Sequence, residues 1–187
     1  AKRYRKLVDS VEHPELKEAV AKGYHKLLAY KDEYEVARML LESRDKAAEQ
    51  FEGDFSMEFH LAPPTLPGSD SDGRPKKRKF SEKLMPMFRV LASMKKLRGT
   101  PLDPFGYASE RKMERALIKQ YEADMADILP KVTDANREIA VALAALPLDI
   151  RGYGPIKVAN EAKAAKRREE WLAAFRSGGS DLAKAAE

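Results

Sequence analysis

Leu97–Tyr121 reads LRGTPLDPFGYASERKMERALIKQY, a proline- and glycine-rich elbow running into a charged helix. Gly99, Pro101, Pro104 and Gly106 fall within eight residues. Each proline fixes its own φ and turns the residue before it, Thr100 or Asp103, toward extended backbone. Helix is therefore excluded from about Gly99 to Tyr107. Ser109 is placed to cap a helix that begins beyond the elbow, with Glu110 in a first turn that favours negative charge. Met113, Leu117, Tyr121, Met125 and Ile128 then recur at three- and four-residue steps, the pattern of one buried helical face. Arg111, Lys112, Arg115 and Glu122 fall on the other faces. Arg98 and Asp103 bracket the elbow. Two roles stay open for them: hydrogen bonds that tie the loop down, or contacts to a partner domain.

Upstream of the elbow, Leu84, Met87, Phe88, Leu91 and Met94 form an apolar stripe interrupted early by Pro86. Before it the period changes to two. Phe55, Met57, Phe59 and Leu61 alternate with Ser56, Glu58 and His60, which predicts a strand ended by Pro63 and Pro64. Gly68–Gly73 is a loop, and Arg74–Phe80 returns as a second strand. Such a hairpin is marginal alone and is expected to lie on helices. Further upstream, Leu16, Val20, Gly23, Leu27, Tyr30, Tyr34, Ala37 and Leu41 step by four and three, which predicts one long helix opening at Pro14. Gly23 inside it costs roughly 1 kcal/mol against Ala, so a close helix crossing is expected there. Residues 2–12 read as a helix that starts abruptly, as if it continues from a preceding segment.

Downstream, Pro130 stops the helix and Thr133 is expected to cap the next, with Ile139, Leu143 and Leu146 inward. A second elbow runs Pro147–Pro155. The last helix spans about Ile156 to Phe175 and carries Val158, Trp171, Leu172 and Phe175. The fold class is mainly α: a multi-helix bundle with one small β-hairpin packed on it. One domain is expected over 1–187, divided into 1–12, a linking-helix continuation; 13–50, a long helix region; 51–80, the hairpin; 81–176, helices with two Pro/Gly elbows; and 177–187, a loose tail.

Composition narrows the chemistry. Of 187 residues, 43% are hydrophobic and 35% charged, with a net charge of +5. That is enough apolar material for a core under a heavily solvated surface. The sequence has no run long and apolar enough to span a bilayer and shows no secretory signal at Ala1. It has no cysteine, which fits the cytoplasm. Iron–sulfur clusters are normally held by cysteine thiolates, so this chain is expected to ligate none. His13, His25 and His60 lack the spacing of a helical metal site. Gly152-x-Gly154 is followed by Lys157 where a dinucleotide fingerprint needs glycine, and no P-loop or nucleophile elbow is present. Asp32, Glu33 and Glu35 read as ion pairs on a solvated helix face. The basic run Arg74–Lys79 reads as a solvated strand, with nucleic-acid attraction as the rival. Met85, Met87 and Met94 read as core filler rather than a cofactor box.

Four stretches together carry a resemblance: Ala29–Arg38 (AYKDEYEVAR), Phe59–Pro64 (FHLAPP), Arg98–Tyr107 (RGTPLDPFGY), and Ile150–Gly154 (IRGYG) with Lys157 and Asn160. In this order they resemble the C-terminal domain of the single-chain indolepyruvate ferredoxin oxidoreductases, of the 2-oxoacid:ferredoxin oxidoreductase family. The resemblance covers Tyr4 to about Phe175. It implies an enzyme that oxidatively decarboxylates aryl 2-oxo acids to acyl-CoA and reduces ferredoxin, using thiamine diphosphate, coenzyme A and iron–sulfur clusters. Those cofactors belong to the family's other domains. None of their motifs is matched here, so no catalytic, cofactor-binding or metal residue carries over. The expected role is a non-catalytic scaffold that docks on the catalytic domains or subunits. Its candidate docking or ligand contacts are Arg98, Asp103, Phe105, Tyr107, Arg151, Tyr153 and Lys157. Two alternatives stand beside it: the same residues contact the substrate or CoA phosphates, or the chain is an independent basic adaptor for nucleic acid or protein.

Overall fold

In a computed structural model the chain is described over residues 2–30, 32–53, 55–62, 68, 76–152 and 154–178. These residues form, in order, α1 (Lys2–Asp9), α2 (Pro14–Leu28), α3 (Glu33–Gln50), β1 (Glu58–Leu61), β2 (Arg78–Ser81), α4 (Met85–Ser93), α5 (Ser109–Ile128), α6 (Arg137–Ala145) and α7 (Pro155–Arg176). Short 3-10 turns lie at Glu82–Leu84, Met94–Leu97, Leu129–Lys131 and Leu146–Asp149. The fold is mainly α with one small hairpin. The sequence reading treats 1–187 as one domain; the chain sorts into two compact units, Ala1–Tyr30 with Met113–Glu187, and Lys31–Lys112. Among the described residues no helix is long and apolar enough to cross a membrane.

In the first unit α2 lies against α6. Leu16, Val20 and Tyr24 of α2 share a core with Met125 and Ile128 of α5 and Ile139 of α6. The close crossing expected at Gly23 is present. A Cβ built there stands 2.1 Å from the Ala144 carbonyl oxygen of α6, and the Tyr121 hydroxyl donates to that same oxygen at 3.0 Å. Tyr24 stacks between Tyr4 and Tyr121, and its hydroxyl donates to Glu122, which also pairs with Arg3.

In the second unit α3 packs on α4, and the antiparallel hairpin covers them. Phe59 pairs with Phe80 across the strands and meets Phe88 of α4 edge-on, ring centroids 5.4 Å apart. That burial supplies what two strands alone lack.

Five local expectations are corrected. The long helix of 13–50 is two helices. Asp32 has extended backbone, and its carboxylate accepts the Tyr34 N–H at 3.0 Å, an N-cap that starts α3 afresh. On α5 the buried stripe includes Arg111, Glu114 and Ile118 besides Tyr121, Met125 and Ile128, while Met113 and Leu117 are only half-buried. The stripe is turned about one residue because ion pairs satisfy the buried charges. Ser109 lies inside α5: the Lys112 N–H donates to Ala108, which makes Ala108 the flanking residue. Thr133 does not cap α6. Asn136 holds the flanking position, and its side chain accepts the Thr133 N–H and donates to the Lys131 carbonyl. Met87, placed on the α4 stripe, is exposed, whereas Met85 is buried. Pro63, Pro64, Arg74, most of the Gly68–Gly73 loop and the tail from 179 lie outside the described residues.

Candidate functional site

The most organised polar cluster of the second unit joins the start of α3 to the elbow. Asp103 is buried and accepts from the Tyr34 hydroxyl at 2.9 Å, the Gly99 N–H at 2.9 Å and the Phe105 N–H at 3.2 Å. Burial pushes its carboxyl pKa up. The hydrogen bonds from Gly99, Tyr34 and Phe105 outweigh that and hold it below the ordinary aspartate value. Burial, then the bond to Asp103, raises the Tyr34 hydroxyl to about 12. Arg98 pairs with buried Asp32 at 2.9 Å. Arg111 pairs with Glu33 at 3.0 Å, both side chains largely covered. Lys95 donates to Glu35 at 2.6 Å, and Arg38 and then Lys95 hold that carboxyl at about 2. The acidic trio is thus paired, as expected, but Asp32 and Glu33 are not on a solvated face. They anchor the elbow.

This arrangement spends the elbow's charges inward and turns apolar groups outward. Leu102 is 74% exposed and Tyr107 61%, and the Tyr107 hydroxyl is fixed on the Pro101 carbonyl at 2.7 Å. Phe105 is half-buried, edge-on to Tyr34 with centroids 5.3 Å apart.

The second elbow, in the first unit, is also tied to itself. Arg151 Nε donates to the Leu148 carbonyl at 2.8 Å, and Asn160 donates to the Arg151 carbonyl at 2.9 Å. Gly152 has φ +97°, and a Cβ there stands 2.7 Å from Ile156, so only glycine fits. Lys157 pairs with buried Glu114. Tyr153 lies outside the described residues. Arg98, Asp103, Phe105 and Tyr107 therefore belong to one unit, and Arg151 and Lys157 to the other.

Beside this clasp of Tyr34 on Asp103, Asp32 on Arg98 and Glu33 on Arg111, the second unit carries a groove of about 730 Å³. It is lined by α3, the hairpin and α4, and Phe105 forms part of its wall with Val36, Leu61 and Phe88. Residues from three of the four motif stretches meet there.

Asp32, Glu33 and Arg111 were not singled out as site residues by sequence. A signal existed: Asp32-x-x-Glu35 has the spacing of a helix-start capping box. No group of three or more potential metal ligands occurs among the described residues. The donor set does not fit an iron–sulfur cluster, since the whole chain lacks cysteine.

Residues 1–170 match a protein family described as a family of unknown function, DUF6537. The chain belongs to that family. The matched span includes all four motif stretches, the clasp and the groove, so these are features of a DUF6537 domain. No curated protein and no solved structure matches the chain.

Proposed function

We propose that this DUF6537 domain is a non-catalytic scaffold of a 2-oxoacid:ferredoxin oxidoreductase resembling the indolepyruvate enzymes. It acts in the cytoplasm and docks on the catalytic domains or subunits. The full assembly oxidatively decarboxylates aryl 2-oxo acids to acyl-CoA. Thiamine diphosphate and iron–sulfur clusters sit in the other domains and supply carbanion stabilisation and electron transfer to ferredoxin.

The observation that carries this reading is the clasp. Its cations meet carboxylates within the same unit, Arg98 on Asp32 and Arg111 on Glu33. In the other unit Lys157 meets Glu114. A phosphate-binding site keeps its cations for the ligand; these hold loops rigid instead. The braced elbow presents Leu102 and the ring of Tyr107, suited to a protein contact. The order of the four motif stretches supplies the link to the oxidoreductases.

The test uses the enzyme that carries this domain. Leu102→Asp with Tyr107→Ala is expected to leave the domain folded and weaken its association with the catalytic portion by about tenfold or more. Arg98→Ala and Arg151→Ala are expected to leave the KM for CoA and for the 2-oxo acid unchanged. A raised KM with assembly intact would overturn the scaffold reading in favour of direct ligand contact.

A further inference from the structure

Tyr24 of α2 is fully buried, yet its hydroxyl meets a carboxylate. It donates to Glu122 of α5, which Arg3 of α1 also holds. Two more phenols of the first unit stack on its ring. Tyr4 stands 5.9 Å away and Tyr121 5.7 Å away between centroids, with an interplanar angle of 17° in each pair. A core needs only the rings. Phenylalanine would fill this place without a hydroxyl that has to be satisfied on burial.

The pairing supplies what one-electron oxidation of a phenol requires. A phenol that loses an electron becomes a strong acid, and a cation left inside a core is costly. The proton has to leave along the hydrogen bond, to a base already within reach. Glu122 is that base, and its side chain is 27% exposed, so the proton can pass on to water. Other readily oxidised side chains lack part of this arrangement. Tyr4, Tyr107 and Tyr121 donate to the backbone carbonyls of Ala21, Pro101 and Ala144, which are too weakly basic to take a proton. Trp171, the one tryptophan, buries its ring N–H without an acceptor among the described residues. Tyr34 does meet a carboxylate, Asp103, but the ring beside it is Phe105, edge-on and harder to oxidise than a phenol.

We propose that Tyr24 is a one-electron redox site, with Tyr4 its route to the surface and Glu122 its proton acceptor. A strong one-electron oxidant at the surface draws an electron by way of the half-buried Tyr4 ring. The hole settles on Tyr24. Its O–H bond breaks, the proton moves to Glu122 Oε1, and the electron reduces the oxidant by one equivalent. A neutral phenoxyl radical then faces a carboxylic acid. A one-electron reductant restores the phenol as the proton returns from Glu122. This goes beyond the scaffold reading and does not rest on it.

Photo-oxidation of the full chain by tris(bipyridine)ruthenium with persulfate tests it, read by electron paramagnetic resonance and transient absorption. The expected product is a tyrosyl radical that outlives the radical of free tyrosine under the same flash. Fluorotyrosine in place of Tyr24 keeps the ring and the hydroxyl, and is expected to add a fluorine splitting to the long-lived signal. Tyr24→Phe and Glu122→Gln are each expected to lower the yield of that radical about tenfold or more, and Tyr34→Phe to leave it unchanged. If Tyr24→Phe melts early, the fluorine splitting decides alone, since it removes no group. A radical no longer-lived than that of free tyrosine overturns the proposal. So does a long-lived signal without the splitting, which puts the radical on another residue. A yield indifferent to Glu122→Gln overturns it too, because the proton then does not go to Glu122.

Discussion

Tyr34 donates its hydroxyl to the Asp103 carboxylate at 2.9 Å and joins the first turn of α3 to an elbow 69 residues later. Both groups are buried. The carboxylate also accepts two backbone N–H groups of its own loop, so one side chain sets the loop's shape and its attachment together. Asp103→Ala removes the acceptor from three donors and is expected to cost about 1–3 kcal/mol. Chemical denaturation of the chain measures it. A loss under about 0.5 kcal/mol would mean that the elbow keeps its shape by proline and glycine alone.

The same pair gives a pH dependence at each end of the scale. Asp103 has a folded pKa below its unfolded value. Its contribution is complete above about pH 4 and is lost as pH falls through the depressed folded value. Tyr34 is raised to about 12. Its contribution is complete below about pH 10 and fades as pH climbs through the folded value. Tyr34→Phe is expected to cost about 1 kcal/mol at neutral pH and to remove this alkaline loss, read from melting temperatures across pH.

Gly23→Ala reverses the usual helix rule. Alanine in place of a helical glycine ordinarily gains roughly 1 kcal/mol. Here the added methyl meets the Ala144 carbonyl oxygen at 2.1 Å, and backbone cannot step aside cheaply. The substitution is expected to destabilise by about 1–3 kcal/mol. A stabilised variant would show that α2 and α6 do not cross so closely.

Glu33 and Arg111 form a covered pair. Glu33→Ala leaves Arg111 without this carboxylate and is expected to cost about 3 kcal/mol. The double replacement Glu33→Leu with Arg111→Met is expected to cost less than either single change, because no charge is then buried without its match. A double-mutant cycle by denaturation settles it; additive losses would mean that the two groups do not interact.

Much of this architecture is readable from spacing. The elbow's prolines exclude helix, the period-two run predicts a strand, and Gly23 marks a crossing. The split of the long helix and the turned stripe of α5 share one cause: apolar steps set the expectation where polar chemistry decides. The seam from Leu16 to Leu41 runs on in register through Ala29–Asp32, so periodicity alone cannot see that an Asp32 cap restarts the helix. On α5 the periodicity places Arg111 outside because lone charges avoid cores. It sits inside because Glu33, far away in sequence, is there to receive it. Thr133 loses the cap position to Asn136, whose amide both donates and accepts and so closes the preceding turn. Long-range ion pairs leave no local trace, and the site built on them is only half visible in the sequence.

The proposed bracing of a larger redox enzyme is tested by purifying the chain's native assembly from its source cells and measuring its mass, iron and thiamine diphosphate. A species several times the 21.0 kDa of this chain that carries both iron and thiamine diphosphate is the predicted result. A native species of about that mass, alone and free of both, would contradict it.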